Sequence, residues 1–195
     1  MNPYLLEIKR LFDLWGSDNY SESVSQRSHA EQCAALAVAA GSEDSLVVAS
    51  LLHDIGHLFI LDARRGQPLL ESDDEHEATG ARFVARFLGA RVATPIALHV
   101  AAKRYLCAVD PTYAESLSPA SISSLELQGG AMSPDEAARF ERLPNSGEAL
   151  LLRRWDDAAK VPDLSVAPFE EYVPMIEALA FRENTRRAHT ARTNP

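Results

Sequence analysis

The stretch Leu46-Val47-Val48-Ala49-Ser50-Leu51-Leu52-His53-Asp54-Ile55-Gly56-His57-Leu58 decides the fold. From Leu46 to Leu52 it is apolar or small on nearly every face, which predicts a helix in the centre of a helical assembly rather than on its surface. The helix runs into His53-Asp54. A charged Asp is seldom buried without a partner, so an acidic group beside a histidine at the end of a core helix needs a compensating charge. A divalent cation supplies one directly. The plain alternative is a satisfied core histidine followed by a capping Asp.

Outward from this centre the chain reads as further helices. Pro3 to Trp15 has apolar residues at helical period, and Ala-rich Val24 to Ala40 ends at Gly41. Ser42 or Ser45 is the expected cap of the central helix. Leu58 to Asp74 reads as a loop with Arg64-Arg65-Gly66-Gln67-Pro68 at its tip. Helical period resumes over Glu75 to Leu88, stopped by Gly89. It returns over Val92 to Tyr105, with Pro95 in the first turn. Asp110-Pro111 breaks the pattern, and Ala114 to Leu127 is open between short helix and loop. Ser133-Pro134-Asp135-Glu136 marks a helix start. The last two helices are expected from Ser146 or Gly147 to Ala159 and from Pro168 to Phe181. Ala and Leu dominate while β-branched and aromatic residues are sparse, which favours helix over sheet.

Length and charge narrow the class. At 195 residues the chain suits one domain, long enough to form its own core. We expect that domain over 1–181, followed by a basic, frayed tail over 182–195. A net charge of −9 argues against nucleic acid, whose phosphates need a basic surface, but not against a small anion in a locally cationic pocket. Cys33 and Cys107 lie in apolar helical stretches and read as buried thiols of a reducing compartment. Without a signal-peptide pattern or an uncharged apolar run of roughly 18–20 residues, the expected location is cytoplasmic, with no membrane partner. Oligomeric state leaves no trace in the sequence.

Histidines carry the chemistry. His29 lies on the helix before the central one, His76 on the helix after it and His99 on the next. Four histidines on successive helices beside an Asp suit iron, zinc, nickel or manganese. Asp156 or Asp157, in Trp155-Asp156-Asp157, supplies a late carboxylate. Four residues separate His53 from His57 and His99 from Lys103, and three separate Arg153 from Asp156. Each pair therefore shares a helix face if the helix continues, which puts cations beside a metal site.

These residues resemble the HD superfamily: His29, His53-Asp54 and a late Asp match its H…HD…D pattern, and His76 and His99 match its two-metal branch. More narrowly, four segments are similar to the HD-type mixed-valent diiron oxygenases of phosphonate breakdown. They are LLHDIGHL (Leu51 to Leu58), EHEATGARF (Glu75 to Phe83), PIALHVAAKRYL (Pro95 to Leu106) and LELQGGAM (Leu125 to Met132). The likeness runs from about Tyr20 to Lys160 and implies an all-α, single HD-domain helical bundle. It further implies two irons, as an Fe(II)/Fe(III) pair, held by His29, His53, Asp54, His76, His99 and Asp156, with Asp54 bridging. His57, Lys103 and Arg153 would act on the phosphonate together with Ser121, and Tyr20 and Glu22 would form a lid. The implied reaction uses O2 to cleave the C–P bond of a 1-hydroxy-2-(amino or trimethylammonio)ethylphosphonate, releasing phosphate and glycine or glycine betaine. An HD phosphohydrolase acting on a phosphate ester is the alternative with the same ligands. A catalytically idle HD module is a third reading.

Overall fold

The computed structural model describes residues 2–19, 24–67 and 75–193, and these form helices and turns without a strand. In chain order the helices are α1 (Pro3–Trp15), α2 (Gln26–Ala39), α3 (Asp44–Leu52), α4 (Ile55–Ala63), α5 (His76–Leu88) and α6 (Ala90–Val109). They are followed by α7 (Pro111–Glu115), α8 (Pro119–Leu127), α9 (Pro134–Phe140), α10 (Ser146–Ala158) and α11 (Phe169–Thr193). The all-α expectation holds.

Helix α3 is the hub. Every residue from Leu46 to Leu52 is buried, and the core gathers Leu5, Ile8 and Leu11 of α1, Val92 and Ile96 of α6, and Phe169 and Ile176 of α11 around it. Each such side chain contributes about 1.5–3 kcal/mol through loss of apolar surface to water. Helices α5 and α6 pack together, as do α6 and α10, α2 and α3, and α4 and α5.

Several boundaries differ from the sequence expectation. The expected loop from Leu58 begins instead as α4, because Leu58 and Leu61 turn inward into the core. Apolar residues that had looked like part of a connection are the buried face of a helix. The N-cap of α3 is Glu43 rather than a serine, and its side chain makes no capping hydrogen bond. Helix α6 starts at Ala90, so Pro95 lies inside it beyond the first turn. The Asp110-Pro111 break is a helix start, with the Asp110 carboxylate accepting from the Tyr113 N–H at 3.2 Å. Ser133 and Glu136 form the expected start as a full capping box.

The basic tail is helical where fraying was expected. Helix α11 continues past Phe181 to Thr193, because Arg187 donates from Nη1 to the Arg86 carbonyl at 2.7 Å and from Nη2 to the Ala85 carbonyl at 2.6 Å. These two carbonyls belong to the last turn of α5, which otherwise lacks partners. Gly89 then reverses the chain at φ +77°, and a Cβ there would fall 2.6 Å from the Glu183 carboxyl carbon.

Helices α4 and α5 approach each other closely. A Cβ on Gly56 would lie 1.9 Å from the carbonyl oxygen of His76, and one on Gly80 would lie 3.2 Å from the Gly56 nitrogen. Two glycines therefore let the backbones touch at the point where His76 leaves α5. The segment Asp44–Ala63, spanning α3 and α4, is apolar and long enough to cross a membrane by length and composition alone, but 67% of its 18-residue apolar window is buried inside the protein.

Candidate metal centre

His29, His53, His76 and His99 are all buried, and all four Nε2 atoms point toward the Asp54 carboxylate. Oδ2 of Asp54 is 3.7 Å from His29 and 3.4 Å from His53. Oδ1 is 3.5 Å from His76 and 3.6 Å from His99. One carboxylate thus stands between two histidine pairs, one oxygen for each. Asp156 joins the first pair, with Oδ1 at 3.3 Å from His29 and 3.9 Å from His53.

Main-chain carbonyls fix three of these rings. The Nδ1–H of His29 donates to Ala159, that of His53 to Ser50 and that of His99 to Ile96, at 2.9, 2.9 and 2.7 Å. A carbonyl only accepts, so Nδ1 carries the proton and a neutral ring turns its Nε2 lone pair inward. Near His76 Nδ1 lies Glu77 Oε2, at 3.6 Å.

This arrangement fits a metal pair. The Nε2 atoms of His29 and His53 face each other at 3.3 Å, and those of His76 and His99 at 3.1 Å. Lone pairs this close repel unless a cation lies between them. Donors bound to one ion at about 2.0–2.2 Å are themselves separated by roughly the spacings seen here. Two donor sets could hold an ion, His29 with Cys33 and His53, and Asp54 with His76 and His99.

The carboxylates also draw positive charge onto the imidazoles of the first pair, a proton on Nε2 taking the place that a cation would. Burial favours a neutral Asp54, but His53, His57 and His76 hold its carboxyl well below the usual range. Burial also opposes ionisation of Asp156, and Arg153 and His29 outweigh it. His53 is disfavoured as a cation by burial, yet Asp54 raises its pKa to about 9. Burial, then the neighbouring His76 and His53, holds His99 well below its ordinary value.

Beside the histidines is a cationic wall. Lys103 is 2% exposed, and its Nζ donates to the neutral Ser124 hydroxyl at 2.6 Å. Burial and nearby Arg153 push its pKa down to about 8, against the pull of Asp156, Asp157 and Cys107. Arg153 lies between the metal ligand candidates and this wall. Its Nη1 meets Asp156 Oδ2 at 2.7 Å, and its Nε meets Asp157 Oδ2 and the Tyr113 hydroxyl, both at 3.0 Å. Nη2 reaches Asp157 Oδ1 and, at 3.4 Å, the Ser121 hydroxyl. The two-pronged Nε–Nη2 edge of the guanidinium therefore faces Asp157, while Nη1 stays on Asp156. His57 stacks on His76 with ring centroids 3.8 Å apart.

The structure thus brings together His29, His53, Asp54, His76, His99 and Asp156, with His57, Lys103, Ser121 and Arg153 adjoining. Asp156 rather than Asp157 turns to the histidines. Tyr20 and Glu22 lie outside the described residues. Three neighbours went unread as site residues. Cys33, taken as a structural thiol, has its Sγ 3.8 Å from His29 Nε2, and its position four residues after His29 was the available signal. Tyr113, whose hydroxyl meets Arg153 and Asp157, and Lys160, whose Nζ lies 3.3 Å from the Ser121 hydroxyl, carried no local signal.

Residues 27–157 match the HD domain family model. The chain is 45% identical over 174 residues to hydroxymethylphosphonate dioxygenase of Gimesia maris, covering 88% of this chain and 87% of that protein. It is 36% identical over 176 residues to [1-hydroxy-2-(trimethylamino)ethyl]phosphonate dioxygenase (glycine-betaine-forming) of Leisingera caerulea, covering 87% and 86%. An uncharacterised protein of Acanthamoeba polyphaga mimivirus is 34% identical over 171 residues, covering 87% and 78%.

Proposed function

The chain belongs to the HD-domain family and is a dioxygenase similar to the phosphonate dioxygenases within it, and from that premise we propose its substrate class, cofactor and residue roles. The substrate is a small phosphonate with a hydroxyl on the carbon attached to phosphorus, a feature common to the two named relatives' substrates. O2-dependent cleavage of the C–P bond releases inorganic phosphate and leaves that carbon as a carboxylic acid. The acid is formate if the carbon carries nothing further, glycine if it carries an aminomethyl group and glycine betaine if it carries a trimethylammoniomethyl group.

The proposed cofactor is an Fe(II)/Fe(III) pair held by His29, His53, Asp54, His76, His99 and Asp156. When bound, it would activate O2, which supplies the four oxidising equivalents that the substrate carbon requires. The protein's own residues bind and orient. Lys103 and Arg153 neutralise the phosphonate, Ser121 donates to one of its oxygens, and His57 lies along the edge of the site against His76. The observation that carries this reading is Asp54 between two histidine pairs, with Lys103 buried close by and bonded to a neutral hydroxyl. A buried ammonium with a neutral partner is set to receive an anion.

The direct test is phosphate release by iron-loaded protein, with and without O2. The substrates are hydroxymethylphosphonate, (1-hydroxy-2-aminoethyl)phosphonate and its N-trimethyl analogue. Oxygen-dependent release from one of them is expected, and the preferred one identifies the group the pocket accepts. Hydrolysis of a phosphate ester without O2, and no release from any phosphonate, would instead establish the phosphohydrolase.

A pH profile tests Lys103. It must be protonated to hold the phosphonate, and in the free protein it loses its proton near pH 8. We therefore expect kcat/KM to fall above about pH 8, by up to tenfold per pH unit. In Lys103→Arg, which stays charged, that alkaline limb should move up. An unmoved limb would assign the titration to another group.

A further inference from the structure

We infer that Tyr113 and Asp157 are positioning residues for the metal centre, holding Arg153 so that Asp156 keeps one oxygen for an ion; this rests on the ligand role proposed above for Asp156. Arg153 precedes Asp156 by three residues and Asp157 by four, so helical spacing lets its guanidinium reach either carboxylate. A guanidinium that grips a carboxylate two-pronged donates to both of its oxygens. Such a grip on Asp156 would set Oδ1 in competition with the ion. Which neighbour Arg153 grips therefore decides whether Asp156 has an oxygen to give.

The grip falls on Asp157. Arg153 Nε lies 3.0 Å from Asp157 Oδ2 and Nη2 donates to Oδ1, while Nη1 meets Asp156 at Oδ2, 2.7 Å away. Oδ1 of Asp156 is left facing Nε2 of His29 at 3.3 Å and of His53 at 3.9 Å. The Tyr113 hydroxyl fixes this choice. It accepts from Arg153 Nε at 3.0 Å and donates to Asp157 Oδ2 at 2.5 Å, the only polarity open when a guanidinium donates and a carboxylate accepts. Without Asp157 and Tyr113, the Nε–Nη2 edge would keep only the Ser121 hydroxyl among the described residues, 3.4 Å from Nη2, and could turn onto Asp156.

Tyr113 comes from α7, which carries none of the proposed ligands. Its ring is buried with Leu106 and Leu117, and its N–H donates to Asp110 Oδ1 at 3.2 Å. The Arg154 guanidinium lies 5.9 Å from the ring centroid and 3.5 Å from Asp110 Oδ2. Two consecutive arginines of α10 thus meet the same tyrosine, Arg153 at its hydroxyl and Arg154 at its ring. Only the first contact leads on to Asp156, which separates a positioning role of Tyr113 from its packing role.

The test measures Fe(II) affinity of the full-length protein, anaerobically and by competition with a chromogenic chelator. The chains compared are the unaltered one, Tyr113→Phe, Asp157→Asn and Arg154→Met. We expect one of the two sites to weaken about 10-fold in Tyr113→Phe and Asp157→Asn, the lower end for loss of a group that orients a ligand, with the other site unchanged. Arg154→Met, which alters the seating of α7 without touching Arg153, should keep both affinities. In an Arg153→Met background the first two substitutions should add no further loss, because they act through the guanidinium; the one-site loss in the single variants is decisive even if that background does not fold. Unchanged affinities in Tyr113→Phe and Asp157→Asn, equal losses at both sites, or the same loss in Arg154→Met overturns the proposal while leaving the dioxygenase reading intact. If the unaltered chain neither binds iron nor releases phosphate from a hydroxyphosphonate, both readings fall.

Discussion

Asp54→Ala is expected to lower O2-dependent phosphate release by at least about three orders of magnitude and to reduce bound iron from the proposed two ions per chain to one or fewer. Among the described residues the carboxylate is the one group with an oxygen toward each histidine pair. Losing a partner that merely orients a ligand costs about 10- to 100-fold in metal affinity or activity, and Asp54 is proposed to touch both ions at once. Its removal also leaves buried imidazoles without the anion that balances them, notably His53, whose pKa Asp54 raises to about 9. Breaking a buried charged cluster from one side costs roughly 3–5 kcal/mol, so thermal unfolding should shift downward as well. Asp54→Asn keeps the shape without the charge, and it should bind metal poorly even if its melting temperature recovers. Metal analysis with turnover decides the matter: two irons and near-normal activity in either variant would rule out a bridging role for Asp54.

Gly56→Ala has the second largest expected effect, although the residue offers no side chain to the site. Alanine in place of glycine within a helix ordinarily gains about 1 kcal/mol. Here the added methyl would lie 1.9 Å from the His76 carbonyl oxygen, so α4 and α5 must separate by more than an ångström. Overpacking of this kind costs typically 1–3 kcal/mol and sometimes more, and against a rigid main-chain atom the upper end applies. We expect a net destabilisation of about 2–4 kcal/mol by urea unfolding. The functional loss should be larger, because metal ligands tolerate errors of only about 0.2 Å and the displaced residue is His76 itself. Gly147→Ala in α10 is the control, since nothing lies within 4 Å of its Cβ position. Unchanged stability and iron content in Gly56→Ala would refute the contact.

Part of this architecture was legible in the sequence because it follows from local chemistry. An apolar run ending in His-Asp must be buried, and a buried Asp needs a counter-charge, so Leu46 to Asp54 announced both the core and the site. Helix starts with Ser-Pro or Asp-Pro are encoded within four residues, and Ser133 reads correctly for that reason. Three other features required tertiary information. Helix α4 was read as a loop because the burial of Leu58 and Leu61 depends on neighbours brought in by α1 and α5. Asp156 and Asp157 are adjacent and about 100° apart around a helix axis, and only the rotation of α10 against α2 turns Asp156 to His29 and Asp157 to Tyr113. The tail is helical through Arg187, whose acceptors lie about a hundred positions earlier in the chain.

The carbonyls behind His29, His53 and His99 bear on how such a site is inherited. Ser50, Ile96 and Ala159 hold these rings with peptide oxygens, atoms present whatever side chain the codon specifies. Point mutation can delete a supporting carboxylate but not a peptide carbonyl. Substitutions can therefore vary the side chains beside the site while the inward-facing nitrogens keep their orientation, so the donor set and its surroundings can change independently.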